Sequence, residues 1–385
     1  MIKYIKTTKR VKREDGQLVP SEKNRPICYC SHGDAAIYDH YGSLLSEGYE
    51  SLLAAHGLSS VVTAFRPNSG LCNIHFANEV FTWIREKGNC VALAFDIKGF
   101  FDHLDHKVLK RQWSVVLGQQ YLPADHYAVY KSLTKFAYVE LELVFRELKI
   151  NKQNPRANRR TRLCTPEEFR VQVRKLIKKN VEVYGIPQGT PMSAVLSNLY
   201  MLEFDKAVYA EVQRVGGFYR RYCDDMLCIV SQDKQELIED FVMGKIKEVH
   251  LEIQKEKTTR HTFSLKDDVL IADRPLQYLG FTFDGQKVLL RNSGLSRYYA
   301  KMRSGVRFAA KSRNKGDRDR NTSTNEEWVK SNIRRKKLNI RYSYLGRHNY
   351  ISYAMRASRI LNEKAIKKQV RPHWKKLNNA VAYVD

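Results

Sequence analysis

The chain has 385 residues, 43% hydrophobic and 11% aromatic, with 67 Lys and Arg against 41 Asp and Glu, a formal net charge of +26. That length supports two or three packed subdomains with a large core, and the charge favours a polyanionic partner, nucleic acid ahead of a membrane surface. No apolar run reaches about 18 residues, the opening MIKYIKTTKRVKRE has no apolar signal core, and no HxxxH or CxxC pattern occurs, so the composition argues against a membrane span, a secreted protein and a zinc enzyme alike.

Taken in chain order, residues 1–24 are basic and polar and read as an arm. Ala35 to Leu53 and Ile74 to Glu86 carry amphipathic helical spacing. Cys90 to Ile97 reads as a buried strand that ends in an acid, and Phe100 to Leu117 as a helix. Residues 145–180, with Arg156, Arg159, Arg160, Arg162, Lys178 and Lys179 among Asn and Pro, read as an exposed basic insertion. Gly185 to Pro191 is a turn, Met192 to Tyr209 has helical periodicity, and 218–230 reads as a hairpin. Glu236 to Lys247 follows as a helix, and Leu276–Phe283 with Lys287–Leu290 as a second hairpin around Asp284-Gly285. From Arg297 onward the pattern is helical and basic, with a loop expected over Asn314–Asn325. Residues 286–385 hold 26 Lys and Arg against 6 Asp and Glu, a net of +20, which leaves +6 for the rest of the chain. The seven cysteines are odd in number and scattered, as expected of reduced thiols in a cytoplasmic protein.

Two carboxylates, Asp224 and Asp225, sit between apolar runs in Tyr222-Cys223-Asp224-Asp225-Met226-Leu227. Adjacent ionised carboxylates in such a setting need positive compensation. A hairpin with its acidic tip on a divalent ion meets that need, and the strand ending at Asp96 supplies a third acid. Hard cations take oxygen ligands, and Mg²⁺ accepts few from protein when phosphates and water fill the rest. Two such ions about 3.5–4 Å apart serve phosphoryl transfer. The turn Gly185-Ile186-Pro187-Gln188-Gly189-Thr190-Pro191 lies between the acidic elements, and its glycines let backbone approach a base pair closely.

In order and wording these elements resemble the reverse transcriptases of the bacterial group II intron and retron lineage, over about residues 20–290. Ala64-Phe65-Arg66-Pro67-Asn68-Ser69 is similar to that lineage's fingers motif, Glu256-Lys257-Thr258 to its Glu-Lys-Thr motif, and Leu276-Gln277-Tyr278-Leu279-Gly280-Phe281 to its primer-grip hairpin. The resemblance implies that Asp96 and Asp224, with Asp225 beside them, are catalytic and hold two Mg²⁺ together with the backbone carbonyl of Ile97. It implies that Phe101 is the steric gate against a ribose 2′-hydroxyl, that Gln188 faces the incoming deoxynucleoside triphosphate, that Arg66 lies near the triphosphate, and that Lys257 neutralises or protonates pyrophosphate. The Asn-Ala-x-x-His and Val-Thr-Gly signatures of retron enzymes are replaced by Leu71-Cys72-Asn73-Ile74-His75 and Arg291-Asn292-Ser293-Gly294-Leu295. The overall likeness is therefore to bacterial antiphage, defence-associated reverse transcriptases of the second type, which use a companion noncoding RNA as template.

The expected fold is α+β, a right-hand polymerase with an antiparallel palm sheet and a helical basic thumb. Its expected parts are an arm and fingers over 1–90, palm over 91–110 and 181–283, a fingers insertion over 111–180, and thumb over 286–385. Its partners would be a structured RNA template and an RNA–DNA duplex, gripped by Arg159, Arg160 and Arg162 in the insertion and by Arg334, Arg335, Lys336 and Lys337 in the thumb. Plainer roles are expected of Asp102 and Asp105 as helix-start acids, Lys98 as a surface charge, Phe100 as core and Cys223 as apolar filler. Rival readings are a group II intron or retron enzyme, a protein-primed or template-independent DNA polymerase among 22 tyrosines, and a non-enzymatic maturase-like RNA binder.

Overall fold

The fold is α+β, and its elements start where local chemistry supplies a cap, a turn or a partner strand. The computed structural model describes residues 1–14, 17–66, 70–154, 158–324 and 331–384. The stretch expected as an arm forms a two-stranded ribbon instead: β1 (Ile2–Glu14) and β2 (Gln17–Tyr29) pair antiparallel, from Ile2 opposite Tyr29 to Glu14 opposite Gln17. Helix α1 (His32–Ala55) starts on the Ser31 hydroxyl, which accepts from the Asp34 amide. Then come α2 (Asn73–Lys87) and β3 (Cys90–Asp96), the strand expected to end in an acid.

The helix expected over Phe100–Leu117 is shorter. Phe100–Asp102 makes one 3₁₀ turn, and α3 (His106–Val116) begins after Asp105, whose carboxylate accepts from the Lys107 and Val108 amides at 2.8 and 2.9 Å. Next are α4 (Ala124–Thr134), β4 (Ala137–Glu140), α5 (Leu141–Glu147), α6 (Pro166–Glu168) and β5 (Lys178–Lys179). The insertion is more than an exposed loop, because Val139, Val144, Leu148 and Val173 bury against one another with Ile2, Ile150 and Leu163 packed around them. The periodic stretch from Met192 divides at Met201 into α7 (Ser193–Tyr200) and α8 (Leu202–Arg214). The expected hairpin is β6 (Phe218–Tyr222) with β7 (Asp225–Val230), followed by α9 (Gln235–Glu248).

A further hairpin, β8 (Thr259–Lys266) with β9 (Val269–Ala272), turns on Asp267 and Asp268, both left-handed. The expected two-stranded unit beyond it is a three-stranded meander, β10 (Leu276–Tyr278), β11 (Phe281–Phe283) and β12 (Val288–Leu290). Leu279-Gly280, at φ of 45° and 94°, turns the chain between its first two strands. Helix α10 (Asn292–Thr324) runs through most of the segment expected as a loop. Its buried Asp317 accepts from the Ser331 amide and hydroxyl at 3.1 and 2.6 Å, a tether that polar composition does not reveal; Asn325 lies outside the described residues. The chain closes with α11 (Arg335–Tyr342), α12 (Tyr350–Ile360), α13 (Lys364–Val370) and α14 (His373–Ala382).

Two compact units result. The first comprises Met1–Pro67 and Leu93–Thr259, the second Asn68–Ala92 and Arg260–Asp385. Within the first, α3 packs on α1 and α7, and α8 packs on α9 and β6. Its core includes Trp113, Leu45, Tyr200 and Phe204, all essentially inaccessible, and each such side chain contributes about 1.5–3 kcal/mol on burial. Strands there lie in the order β6-β7-β3 in one sheet and β2-β1-β4-β5 in another. Within the second unit, α12 packs on α13 and α2, α13 on β12, and α10 on α11 and α14. All seven cysteines are free. Among the described residues no helix is long and apolar enough to cross a membrane.

Candidate active site

The acidic end of β3 is clamped by backbone on two sides. The Asp96 carbonyl accepts from the Gln254 amide at 2.8 Å, the Lys98 amide donates to the Glu252 carbonyl at 2.9 Å, and Ile97 bridges Ile253. On the other side, the Ile97 amide donates to the Asp224 carbonyl at 3.3 Å. Asp96, Ile97 and Asp224, 128 positions apart in sequence, are thereby fixed next to each other.

Asp224 sits in a two-residue hairpin loop, Cys223-Asp224, closed by the pair Tyr222–Asp225. Cys223 adopts φ of 60°, a conformation that side chains resist. Its thiol is buried, and desolvation together with the neighbouring Asp224 pushes its pKa well up, so it serves as the inert filler expected. Asp224 is half-buried and Asp225 exposed. Lys257, at the end of a 3₁₀ turn, places its ammonium 2.6 Å from Asp96 Oδ1. Lys98 instead pairs with exposed Glu252 at 3.2 Å and is the surface charge expected.

The glycine turn is stitched to the segment after β3. The Gly185 amide donates to the Leu104 carbonyl and the Ile186 amide to the Phe101 carbonyl, each at 2.9 Å, which holds half-buried Phe101 beside the turn that carries Gln188. Buried His106 bonds the Gly185 carbonyl through Nε2 at 2.8 Å, and burial pushes its imidazole pKa down, so the neutral ring donates. The Gln188 carbonyl accepts from the Cys28 amide at 2.8 Å, which anchors the end of β2 on the turn. Gly189 has φ of 117°, and a Cβ there would stand 2.6 Å from the Cys28 carbonyl oxygen. Gly189→Ala is expected to cost about 1–3 kcal/mol through forced backbone strain, read as a lowered melting temperature; an unchanged melt would show that the ribbon yields without cost.

Arg66 is engaged with α1: Nε donates to Glu50 Oε1 at 2.7 Å, Nη2 pairs with Glu50 Oε2, and Nη1 donates to the Ser59 and Val62 carbonyls, the latter at 3.0 Å. Pro67, Asn68 and Ser69 of the same motif lie outside the described residues. Arg159, Arg160 and Arg162 are exposed in the insertion, but Arg160 is held by Glu168 at 2.7 and 2.8 Å. Arg334, Arg335, Lys336 and Lys337 are exposed at the start of α11. Arg334 and Lys337 line a groove shared with Phe308 and Arg341.

Sequence reasoning missed the charged pair behind the acidic turn. Arg221 and Asp205 are both 0% exposed and joined bidentately, Nη2 to Oδ2 at 2.6 Å and Nε to Oδ1 at 2.8 Å. The available signal was an acid on the apolar face of Leu202-Glu203-Phe204-Asp205 and an arginine inside a strand.

The oxygens available here, on Asp96, Asp224, Asp225 and the Ile97 carbonyl, are hard and would suit Mg²⁺. Among the described residues no three His, Cys, Asp or Glu side chains are grouped so that they could hold a metal ion, so substrate phosphates and water would have to supply most of the ligands.

The family model described as Reverse transcriptase (RNA-dependent DNA polymerase) matches residues 21–283. Among solved structures, the chain is similar to apo telomerase from Candida tropicalis truncated from the C-terminal domain, at 12% identity and TM-score 0.47, covering 75% of this chain and 55% of that one. It is also similar to telomerase from Candida tropicalis with a TWJ fragment of telomeric RNA, at 11% identity and TM-score 0.45, covering 98% and 55%. The chain thus spans about half the length of these structures. No curated protein matches it by sequence.

Proposed function

The chain belongs to the reverse transcriptase (RNA-dependent DNA polymerase) family, and from that premise we propose that it copies RNA into DNA by attack of a primer 3′-hydroxyl on the α-phosphate of a deoxynucleoside triphosphate, releasing pyrophosphate. The observation that carries this reading is the backbone bond from Ile97 to Asp224, which joins the acidic end of β3 to the acidic turn. Asp96, Asp224, Asp225 and the Ile97 carbonyl would hold two Mg²⁺, which when bound supply charge neutralisation at the attacking and leaving oxygens. The remaining work of the chain is positioning. Gln188 and Phe101 frame the nucleotide, Lys257 balances charge at Asp96, and Arg66 shapes the adjoining loop through Glu50. In this reading residues 1–90 and 111–180 act as fingers, 91–110 and 181–283 as palm, and 286–385 as thumb. Extension of a primer on an RNA template with deoxynucleotides and Mg²⁺ tests the activity; a folded protein that binds RNA and extends nothing would instead favour the maturase-like reading.

Phe101 leaves no room for a 2′-oxygen beneath the sugar. Phe101→Ala is expected to raise ribonucleotide incorporation relative to deoxynucleotide by at least about tenfold, the equivalent of about 1.4 kcal/mol of discrimination. A wild-type enzyme that already accepts both sugars equally would remove the gate.

The finer reading is a bacterial defence-associated enzyme that copies a dedicated structured noncoding RNA. Its support is the overall likeness of the sequence to that group and the replacement of the retron signatures by Leu71-Cys72-Asn73-Ile74-His75 and Arg291-Asn292-Ser293-Gly294-Leu295. Sequencing the nucleic acid that copurifies would identify template, product and any covalent tyrosine linkage. Arg159, Arg160 and Arg162 replaced together by Ala should weaken the copurifying RNA more than a generic RNA–DNA duplex. Replacement of Arg334, Arg335, Lys336 and Lys337 should weaken both alike, and the log–log salt slope should flatten by about 0.7–0.9 for every phosphate that is no longer neutralised. Equal weakening of both ligands in the insertion variant would leave that segment a nonspecific electrostatic role.

A further inference from the structure

We propose that Arg221, charge-balanced by Asp205, is the positioning residue that sets the acidic turn for its metal; the inference rests on the reading of Asp224 as a metal ligand. The pair is sealed from solvent. Replacing a buried ion pair with apolar groups of like volume is often neutral or stabilising, so stability alone gives little reason for charge here. What an apolar side chain cannot do is donate to the turn. Arg221 Nη1 donates to the Cys223 carbonyl at 3.1 Å and to Asn198 Oδ1 at 3.1 Å. The Cys223 carbonyl belongs to the peptide that leads into Asp224, and Cys223 itself is held at φ of 60°.

The guanidinium is in turn locked by its surroundings. Asp205 takes Nε and Nη2 and also accepts from the Tyr219 hydroxyl at 2.8 Å. Asn198 donates onward to the Ala64 carbonyl at 2.9 Å. The backbone of Arg221 is pinned on both sides, its amide to the Val61 carbonyl and its carbonyl to the Thr63 amide, each at 2.9 Å. Four of its five N–H groups are thus used with one orientation, and the last link of the chain is the peptide before Asp224. Outer groups of this kind typically change metal affinity about 10–100-fold when removed.

The test is the all-apolar variant Arg221→Met, Asp205→Leu, Tyr219→Phe, which leaves no charge stranded. It is expected to fold and to keep its affinity for primer–template, with a melting temperature lowered only modestly through the two acceptors, Asn198 Oδ1 and the Cys223 carbonyl, that lose the Arg221 donor. Its site-specific Mn²⁺ affinity, read from the electron paramagnetic resonance of free Mn²⁺ with Asp224→Ala as blank, should fall about tenfold or more. The Mg²⁺ concentration for half-maximal extension should rise in step. A folded variant with parental Mn²⁺ affinity overturns the positioning role while leaving the polymerase reading intact. A parent that binds no more Mn²⁺ than Asp224→Ala overturns the metal reading and this inference with it. Should the triple variant not fold, Arg221→Lys decides by the same measurement: an ammonium keeps the charge but cannot reach Asp205, Asn198 and the Cys223 carbonyl together, so parental affinity in it overturns the proposal. If neither variant folds, the pair is a folding element alone and the positioning role is dropped.

Discussion

Asp224→Ala combined with Asp225→Ala is expected to lower RNA-templated DNA extension by at least about 10³-fold, a barrier increase of about 4 kcal/mol. The two carboxylates are the acidic side chains of the turn Tyr222-Cys223-Asp224-Asp225, and its remaining oxygens carry no charge to hold a hard cation. The fold should survive, because Asp225 is exposed, Asp224 is half-buried, and its link to Ile97 runs through the backbone carbonyl that alanine retains. RNA binding should persist or strengthen slightly, since the variant sheds two negative charges and keeps every basic residue. Primer extension, a thermal melt and filter binding on one preparation would check all three. Undiminished extension by a folded double variant would end the assignment of these residues as catalytic.

Asp205→Ala is expected to be the most destabilising single change in the first unit, at about 3–5 kcal/mol. It strands the Arg221 guanidinium with no solvent to receive it. An arginine guanidinium stays protonated inside proteins, so the side chain cannot relieve the cost by losing its proton. The Tyr219 hydroxyl loses its acceptor at the same time. Against a total stability of about 5–15 kcal/mol, such a loss should appear as poor soluble yield and a lower denaturant midpoint. A change below about 1 kcal/mol would mean that water enters the pocket or the arginine swings out. The contrast with the all-apolar variant separates a stranded charge from a missing interaction.

Several expectations concerned single residues, and they met different outcomes for one reason. Asp105 was legible as a helix-start acid because its donors lie two and three residues on. Phe100 and Cys223 were legible as filler because apolar neighbours surround them in sequence and they are buried. The pairing of Arg66 with Glu50 was not legible, since it depends on a helix 16 residues upstream. The N-terminal ribbon read as an arm because Lys, Thr and Arg dominate it; its strands exist through pairing with each other and, at Ile2, with Val139. The loop expected after Asn314 failed on the same count, its helix being tethered by the hydrogen bond between Asp317 and Ser331.

The sequence by itself determined the order of the chemistry: an apolar strand closing on Asp96, a glycine turn, a hairpin tipped with Asp224 and Asp225, and a basic end of net +20. These are local properties, set by the period of apolar residues, by turn chemistry and by composition, and a chain displays them in one dimension. Only the tertiary structure decided which charges meet. Lys257 reaches Asp96 across 161 residues, and Arg221 reaches Asp205 across 16 on a different element. Periodicity says which face of an element is buried and nothing about its partner. The choice among many cations for each buried carboxylate is made by packing, where desolvation makes an unpaired charge too costly to keep.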